Sequence, residues 1–223
     1  MTIQEYFGDW SRVIDLNEAD RILRKLSASN HITCPPIKDV FKAFLKCPLN
    51  SLRVVIIGQD PYPQEGVATG IAFANSSDTP ESQYSPSLEV LRESVINYTI
   101  PHRRVIFEPD LEKWEEQGVL LLNSALTCEL GRVGSHTLLW RPFITSFLTN
   151  LSKCSSGVVY VLMGSQAQTL EPYINNHFNH VIRIRHPSYY ARTKTKMPSD
   201  IWSQINNILI GLNGYGIEWY KEY

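Results

Sequence analysis

Residues 52–63, Leu-Arg-Val-Val-Ile-Ile-Gly-Gln-Asp-Pro-Tyr-Pro, constrain the fold of this chain more than any other stretch. The first half is rich in β-branched residues and has no turn former, which is typical of a strand buried on both faces. Gly58 permits unusual backbone angles, and each of the two prolines fixes φ and lacks an amide donor, so the strand ends there. The sequence predicts that Asp60 lies on a stiff turn at the carboxyl end of a buried strand, where open α/β sheets form their ligand crevices. Taken alone, Asp-Pro-Tyr-Pro is more simply interpreted as an ordinary turn.

Three more short apolar runs, at 119–122, 157–163 and 181–185, each lead into polar residues. Segments with helical patterns lie before, between and after these runs. They cover 9–28, 37–45, 111–117, 138–151 and 199–212, and another helix begins at Ser85-Pro86-Ser87. Asp110 is the predicted cap of the helix at 111–117. This alternation predicts an α/β fold in which a central four-stranded parallel sheet lies between two helical layers (a three-layer α/β/α fold), as one domain over residues 1–223. The strands would end at one edge of the sheet, with Asp60, Asn123, Ser165 and His186.

The composition is that of an ordinary soluble globular protein, with 43% hydrophobic and 19% charged residues. No apolar run reaches the length of a membrane span, and the first residues do not resemble a signal peptide. The four cysteines are scattered, which favours reduced thiols. We therefore expect a monomer without membrane association that is not secreted. It would be cytoplasmic, or nuclear if its source is a eukaryote or a virus of one.

Charge is distributed unevenly along the chain. The net charge is −1, but residues 130–199 contain eight Lys or Arg and one acid, so this segment carries +7 and the remainder −8. Such asymmetry indicates an electropositive face for a polyanion on an otherwise acidic body. The alternative is chance segregation of solvated surface charge.

The polar residues at the predicted sheet edge exclude several chemistries. There is no Ser or Cys nucleophile in an elbow turn and no glycine-rich phosphate loop. Asp60 and His186 alone would make a poor metal site, so we expect neither a metal nor a cofactor. The remaining interpretation is a pocket in which a carboxylate handles water or cationic charge, a histidine stabilises negative charge and an amide reads a planar edge. Phe73 could stack there, although an ordinary core aromatic is the simpler interpretation of that residue.

These residues resemble the most widespread family of uracil-DNA glycosylases, the first family, over roughly residues 8–220. Gly-Gln-Asp-Pro-Tyr at 58–62 resembles the water-activating motif of that family, and Gly-Ile-Ala-Phe at 70–73 its stacking segment. Further segments match in the same order along the chain: Ser-Pro-Ser-Leu at 85–88, Leu-Leu-Leu-Asn at 120–123, Gly-Ser at 164–165 and His-Pro-Ser at 186–188. Cys-Pro-Pro at 34–36 and Ile-Glu-Trp at 217–219 also have counterparts.

The resemblance implies a DNA repair enzyme of base excision repair. Such an enzyme flips uracil out of single- or double-stranded DNA and hydrolyses its N-glycosidic bond, leaving an abasic site. It implies catalytic roles for Asp60, which would stabilise the cationic sugar and position water, and for His186, which would stabilise the uracil anion. Arg185 beside His186 would favour a neutral imidazole. The implied uracil-binding residues are Gln59, Tyr62, Phe73 and Asn123, and the implied DNA-binding residues are Pro86, Ser87, Ser165, Ser188, Tyr190 and Arg192.

Two departures from the family pattern bear on function. Pro63 stands where the family usually has histidine, which predicts a lower rate, and Tyr190 stands where the DNA wedge is normally leucine. Pro63 and the segment from Thr127 to Trp140 look more like the poxviral branch, whose glycosylase also serves as a polymerase processivity component. The alternative function is therefore a catalytically weak DNA-binding or processivity component. A proteinaceous glycosylase inhibitor and a replication protein are the protein partners that the resemblance suggests.

Overall fold

The predicted core strands form one parallel sheet in the computed structural model, which describes residues 2–99 and 105–222. The strands are β1 (Thr33–Cys34), β2 (Val54–Gly58), β3 (Val105–Ile106), β4 (Val119–Asn123), β5 (Cys128–Glu129), β6 (Val159–Met163), β7 (His180–Ile184) and β8 (Lys221–Glu222). The sheet has the order β4-β2-β6-β7, and every pair in it is parallel. The pairs β1–β5 and β3–β8 are short and antiparallel. Strands β2, β4 and β6 are buried along their whole length, as expected for strands covered on both faces.

Helices form the layers around this sheet. They are α1 (Ile3–Phe7), α2 (Leu16–Ser27), α3 (Lys42–Lys46), α4 (Pro86–Tyr98), α5 (Glu112–Glu116), α6 (Thr137–Cys154), α7 (Ser165–Gln168), α8 (Pro187–Thr193) and α9 (Asp200–Asn213). Short 3₁₀ helices cover Gly8–Arg12, Ile37–Asp39, Leu49–Ser51, Glu81–Gln83 and Glu171–Tyr173. The arrangement is the predicted three-layer α/β/α fold. None of the helices in the described ranges is long and apolar enough to cross a membrane.

Two aromatic clusters occupy the core. The first cluster joins rings from the amino-terminal region, from α3 and the residue before it, and from α6. Most of its pairs meet edge to face or tilted, and one pair in α6 is stacked. The rings belong to Phe7, Trp10, Phe41, Phe44, Trp140, Phe143 and Phe147. The second cluster joins Trp114, Trp202 and Trp219, with ring centroids 4.7–5.3 Å apart. Aromatic pairs in such geometries add stability beyond the area that they bury. The second cluster fastens the carboxyl-terminal segment to α5 and α9.

Several predicted boundaries are corrected by the structure. The segment 9–28 is not one helix, because α2 begins only at Leu16, where the Asp15 carboxylate accepts from the amides of Asn17 and Glu18. Likewise, 37–45 divides into a 3₁₀ turn and α3. The residue that caps α5 is Leu111, at φ +55°, rather than Asp110. Asp110 still contributes, since its Oδ1 accepts from the Glu112 amide at 3.2 Å.

Candidate active site

A pocket opens at the carboxyl edge of the sheet, where the polar residues were predicted to meet. Asn123 is the last residue of β4 and pairs in register with Gly58, the last residue of β2. Asp60 and His186 each follow the end of their strand by two residues. The pocket is lined by six of the predicted site residues, namely Asp60, Tyr62, Phe73, Ser87, Asn123 and His186. Apolar side chains complete the lining, among them Val40, Leu122 and Leu126.

Two glycines allow the pocket residues to approach one another. A Cβ atom on Gly58 would lie 2.7 Å from both the Asn123 Oδ1 atom and the Phe73 Cζ atom, closer than real Cβ contacts allow. Gly164 has φ +92°, and a Cβ atom there would lie 2.8 Å from the His186 Cβ atom. The absence of a side chain at these positions therefore brings the amide, the phenyl ring and the imidazole together.

Phe73 is held in an unusual backbone conformation beside the imidazole. Its φ is +68°, in the left-handed region that costs free energy for a residue other than glycine. The Tyr62 hydroxyl donates to the Phe73 carbonyl at 2.7 Å, and burial raises the pKa of that hydroxyl. The Phe73 and His186 ring centroids lie 5.5 Å apart. Tyr62 thus anchors the ring that forms one wall of the pocket.

The Asp60 carboxylate is held from outside its own turn. The Gly134 amide donates to Oδ2, while Oδ1 has no hydrogen-bond partner among the described residues. Burial raises the pKa of Asp60, and the Gly134 N–H and the Gln59 side chain act in the opposite direction by favouring the carboxylate. Sequence reasoning missed Gly134, for which the only local signal was its place in a glycine-containing loop.

The His186 imidazole is neutral and has a defined tautomer. The Ser188 amide donates to Nδ1 at 3.2 Å, and the Ser188 hydroxyl lies 2.9 Å from the same atom. Because Nδ1 accepts, the ring hydrogen is on Nε2. Burial and then the Arg192 charge lower the pKa of His186 to about 4. The sequence-based expectation named Arg185 for this effect, but the Arg185 guanidinium lies 4.2 Å from the centre of the Tyr189 ring.

The structure buries Tyr190, the residue predicted to be the DNA wedge. The Tyr190 side chain is only 8% exposed and belongs to the hydrophobic core, because α8 turns this face inward. A wedge needs an exposed ring. Tyr189, which meets Tyr190 edge to face at 5.4 Å, is half-buried at the surface of the same helix. Tyr189 is therefore the less buried of the two tyrosines.

Gln59 and Ser188 also have positions that the sequence did not predict. Gln59 is not among the residues lining the pocket. Its carbonyl accepts from the Ser124 hydroxyl at 2.8 Å and the Ala125 amide at 3.1 Å, which fastens the turn after Asn123. Ser188, predicted to bind DNA, uses both its amide and its hydroxyl on His186.

Three exposed cations, Arg192, Lys194 and Lys196, lie on or just after α8, the helix that follows His186, and are called the cationic rim below. Pro86, the first residue of α4, and Ser165, the first of α7, are exposed, whereas Ser87 is buried against the pocket. The three exposed cations of α8 and the segment after it, Arg192, Lys194 and Lys196, make no ion pair within 2–99 and 105–222. Within the same ranges, no three His, Cys, Asp or Glu side chains are arranged to hold a metal ion.

Comparison with known proteins decides the family. The sequence model of the Uracil DNA glycosylase superfamily matches residues 44–210. The chain belongs to this superfamily. It is 34% identical to the uracil-DNA glycosylase of Vibrio campbellii over 222 residues, covering 97% of this chain and 91% of the Vibrio protein. It is 30% identical to that of Fusobacterium nucleatum, with 96% of both chains covered.

Solved structures show that the superfamily fold is present. The crystal structure of mimivirus uracil-DNA glycosylase matches with a TM-score of 0.73 at 22% identity, over 95% of this chain and 89% of the mimivirus chain. The corresponding enzyme from Nitratifractor salsuginis matches with a TM-score of 0.68 at 20% identity, over 97% and 96% of the two chains. The superfamily fold explains why the site residues converge at the carboxyl edge of β2, β4 and β7.

Proposed function

We propose that this protein excises uracil from DNA by hydrolysing the N-glycosidic bond, which leaves an abasic site. The observation that carries the proposal is the convergence of Asp60, Asn123 and a neutral His186 with Nε2–H on one pocket walled by Phe73. Superfamily membership supports it independently. A pure DNA-binding or processivity component would have no use for this set, so that alternative is not favoured.

Uracil would be read by the Asn123 amide and the Phe73 ring. The Asn123 side chain is 8% exposed and makes no hydrogen bond with other described residues, so both amide atoms remain available to a ligand. They can accept from uracil N3–H and donate to O4. Cytosine presents the reverse pattern and would leave buried polar groups unpaired, at a cost of about 1–3 kcal/mol each. The Tyr62 ring would occupy the space that a thymine methyl group needs.

Cleavage would separate charge between the sugar and the base. The Asp60 carboxylate would stabilise the cationic sugar and orient the attacking water with Oδ1. The His186 Nε2–H would donate to uracil O2 as the base leaves as an anion. The neutral ring can make this bond because its hydrogen is on Nε2, while Nδ1 accepts from the Ser188 amide.

DNA would bind across the cationic rim. Exposed cations without ion pairs are available to phosphates, and Arg192 also donates to the Ser188 carbonyl at 3.3 Å. Both single- and double-stranded DNA would be substrates, since a base in single strands needs no unpairing. A variant of the mimivirus enzyme has been solved in complex with the inhibitor UGI. We expect a proteinaceous inhibitor of this kind to bind the same rim and block the pocket. The reaction needs access to the genome, so we place the protein in the cytoplasm or nucleus.

Replacement of the carboxylate tests the mechanism. Asp60→Asn should bind a uracil-containing oligonucleotide nearly as well as the wild type but lose at least two orders of magnitude in kcat, about 3 kcal/mol of transition-state stabilisation. Asp78→Asn, which alters an exposed carboxylate, is the control and should keep full activity. Uracil release from a single-stranded oligonucleotide, in EDTA, measures both. Unchanged turnover in Asp60→Asn would exclude the proposed role of this residue.

A further inference from the structure

We propose that residues 127–136, the Asp60 brace, act as positioning residues for the catalytic carboxylate through the Gly134 amide. The brace comprises the end of the turn after β4, strand β5 and the loop that leads to α6. This inference rests on the proposed catalytic role of Asp60. It assigns the orientation of that group to a segment far away in sequence.

The Asp60 turn does not hold its own carboxylate with backbone amides. Pro61 and Pro63 both lack an N–H group, so the nearest following residues offer only one donor between them. Carboxylates in turns are usually held by such local amides. The remaining local amide, that of Tyr62, makes no hydrogen bond to the carboxylate in the described part of the chain, whereas the Gly134 amide of another segment donates to Oδ2.

The brace also holds the backbone of the turn. The Gly131 amide donates to the Pro63 carbonyl at 2.8 Å. The Cys128 thiol lies 3.5 Å from the Pro61 carbonyl and donates to it. The turn is thus held at three points by one segment, at the Asp60 side chain and at two backbone carbonyls that follow it.

A buried polar chain fixes the brace to the core. The Trp140 indole N–H donates to the Thr127 Oγ1 atom at 2.7 Å, and Thr127 is completely buried. The Thr127 hydroxyl hydrogen is then available to His136 Nδ1, 2.8 Å away. On the other side of the loop, the Ser135 hydroxyl accepts from the Glu129 amide at 2.8 Å. Gly134 lies directly before these two anchored residues, so its N–H direction is set by them.

The titratable groups around the brace determine how the pH dependence of activity would change if the brace were weakened. Burial lowers the pKa of His136, which faces Glu129, His31, Lys25 and Arg132. Asp60 faces the Gly134 amide, the Gln59 side chain and the Cys128 thiol. Loss of the Gly134 hydrogen bond would raise the pKa of Asp60, because that bond stabilises the charged form. The carboxylate would then be neutralised at a higher pH, and activity at acid pH would fall more than activity at pH 8.

The test compares Thr127→Val, which removes the link to Trp140 and His136, with Thr127→Ser, which keeps the hydroxyl. The readout is the single-turnover rate of uracil release from a single-stranded oligonucleotide between pH 5 and 8. Thr127→Val should lower the ratio of the rates at pH 5 and pH 8 about threefold or more relative to the wild type, whereas Thr127→Ser should keep it. Leu138→Ala, at an exposed neighbouring position, should behave as the wild type.

Ser135→Ala provides a second variant at a half-buried position in case Thr127→Val fails to fold, and it should change the ratio in the same direction. Wild-type ratios in the folded variants would overturn the positioning role. Failure of the proposed function is distinguishable, since the wild type would then release no uracil, whereas full turnover in Asp60→Asn would disprove only the catalytic role of that residue.

Discussion

At the scale of single residues, the site depends on close approaches that leave no room for a side chain. Gly58 is the clearest case, since it lies between the Asn123 amide and the Phe73 ring. Glycine is needed there for space and not for backbone freedom, because Gly58 is the last residue of a regular strand and its φ is not positive. Asn123 and Phe73 would both have to move if this position carried a methyl group.

Gly58→Ala tests this close packing. We expect kcat/KM for uracil excision to fall about 100-fold, because a displacement near 1 Å of binding groups has effects of that size. Gly211→Ala is the matched control, since a Cβ atom there meets nothing within 4 Å, and it should keep full activity. Steady-state kinetics on a single-stranded oligonucleotide measure both. Wild-type kinetics in Gly58→Ala would show that the pocket has more freedom than the contacts indicate.

At the scale of elements, the seven-residue helix α8 follows the proposed catalytic residue His186 and carries the proposed DNA-binding residue Arg192. His186 caps its first turn, Tyr190 packs into the core, and Tyr189 and Arg192 lie on the other side. The helical phase therefore separates the two neighbouring tyrosines into a structural and a surface residue. This separation predicts different consequences for their removal.

Tyr190→Ala should lower the free energy of unfolding by about 3 kcal/mol, as expected for a buried aromatic. Tyr189→Ala should cost less stability than Tyr190→Ala but reduce excision from duplex DNA about tenfold more than excision from single strands, because only the duplex needs a side chain to fill the gap. Urea denaturation and the two excision rates distinguish these effects. A stable Tyr190→Ala variant with a duplex-specific defect would instead show that this ring leaves the core when DNA binds.

At the scale of the whole molecule, one acid of the described residues is completely buried and has no function in the proposed mechanism. Glu115 on α5 is completely buried, and its carboxyl oxygens have no side-chain hydrogen-bond donor in the described part of the chain. Burial, and then the charge of Glu112, raise its pKa well above the usual range, while Lys42 and Lys46 act in the opposite direction. The folded protein therefore keeps Glu115 protonated at pH values where the unfolded chain has ionised it.

This difference predicts the sign of a pH effect on stability. Between the ordinary carboxyl pKa and the raised one, the folded state binds more protons, so the contribution of Glu115 to stability is lost as the pH rises. Glu115→Gln cannot ionise, and its stability relative to the wild type should be greater at pH 8 than at pH 4. Glu116→Gln, at an exposed neighbour, should show no such trend. Urea denaturation at the two pH values measures this, and a pH-independent difference would contradict it.

Much of this architecture could be predicted from the sequence because its signals are local. The β-branched run before Gly58 and the polar residue after each strand follow from short-range patterns, and parallel strands bring their ends to one edge. Helix starts were predicted less well. Asp15 interrupts the segment 9–28 as a cap, and the apolar periodicity on either side of it masked the break.

The sequence by itself determined which chemical groups meet at the sheet edge, because the register of a parallel sheet brings Asp60, Asn123 and His186 together wherever the loops lie. Only the tertiary structure decided how those groups are oriented. The Gly134 amide reaches Asp60 across more than seventy residues of chain, and the inward face of Tyr190 depends on the phase of α8 against the core. Such contacts depend on loop paths and helix rotation, which no local pattern encodes.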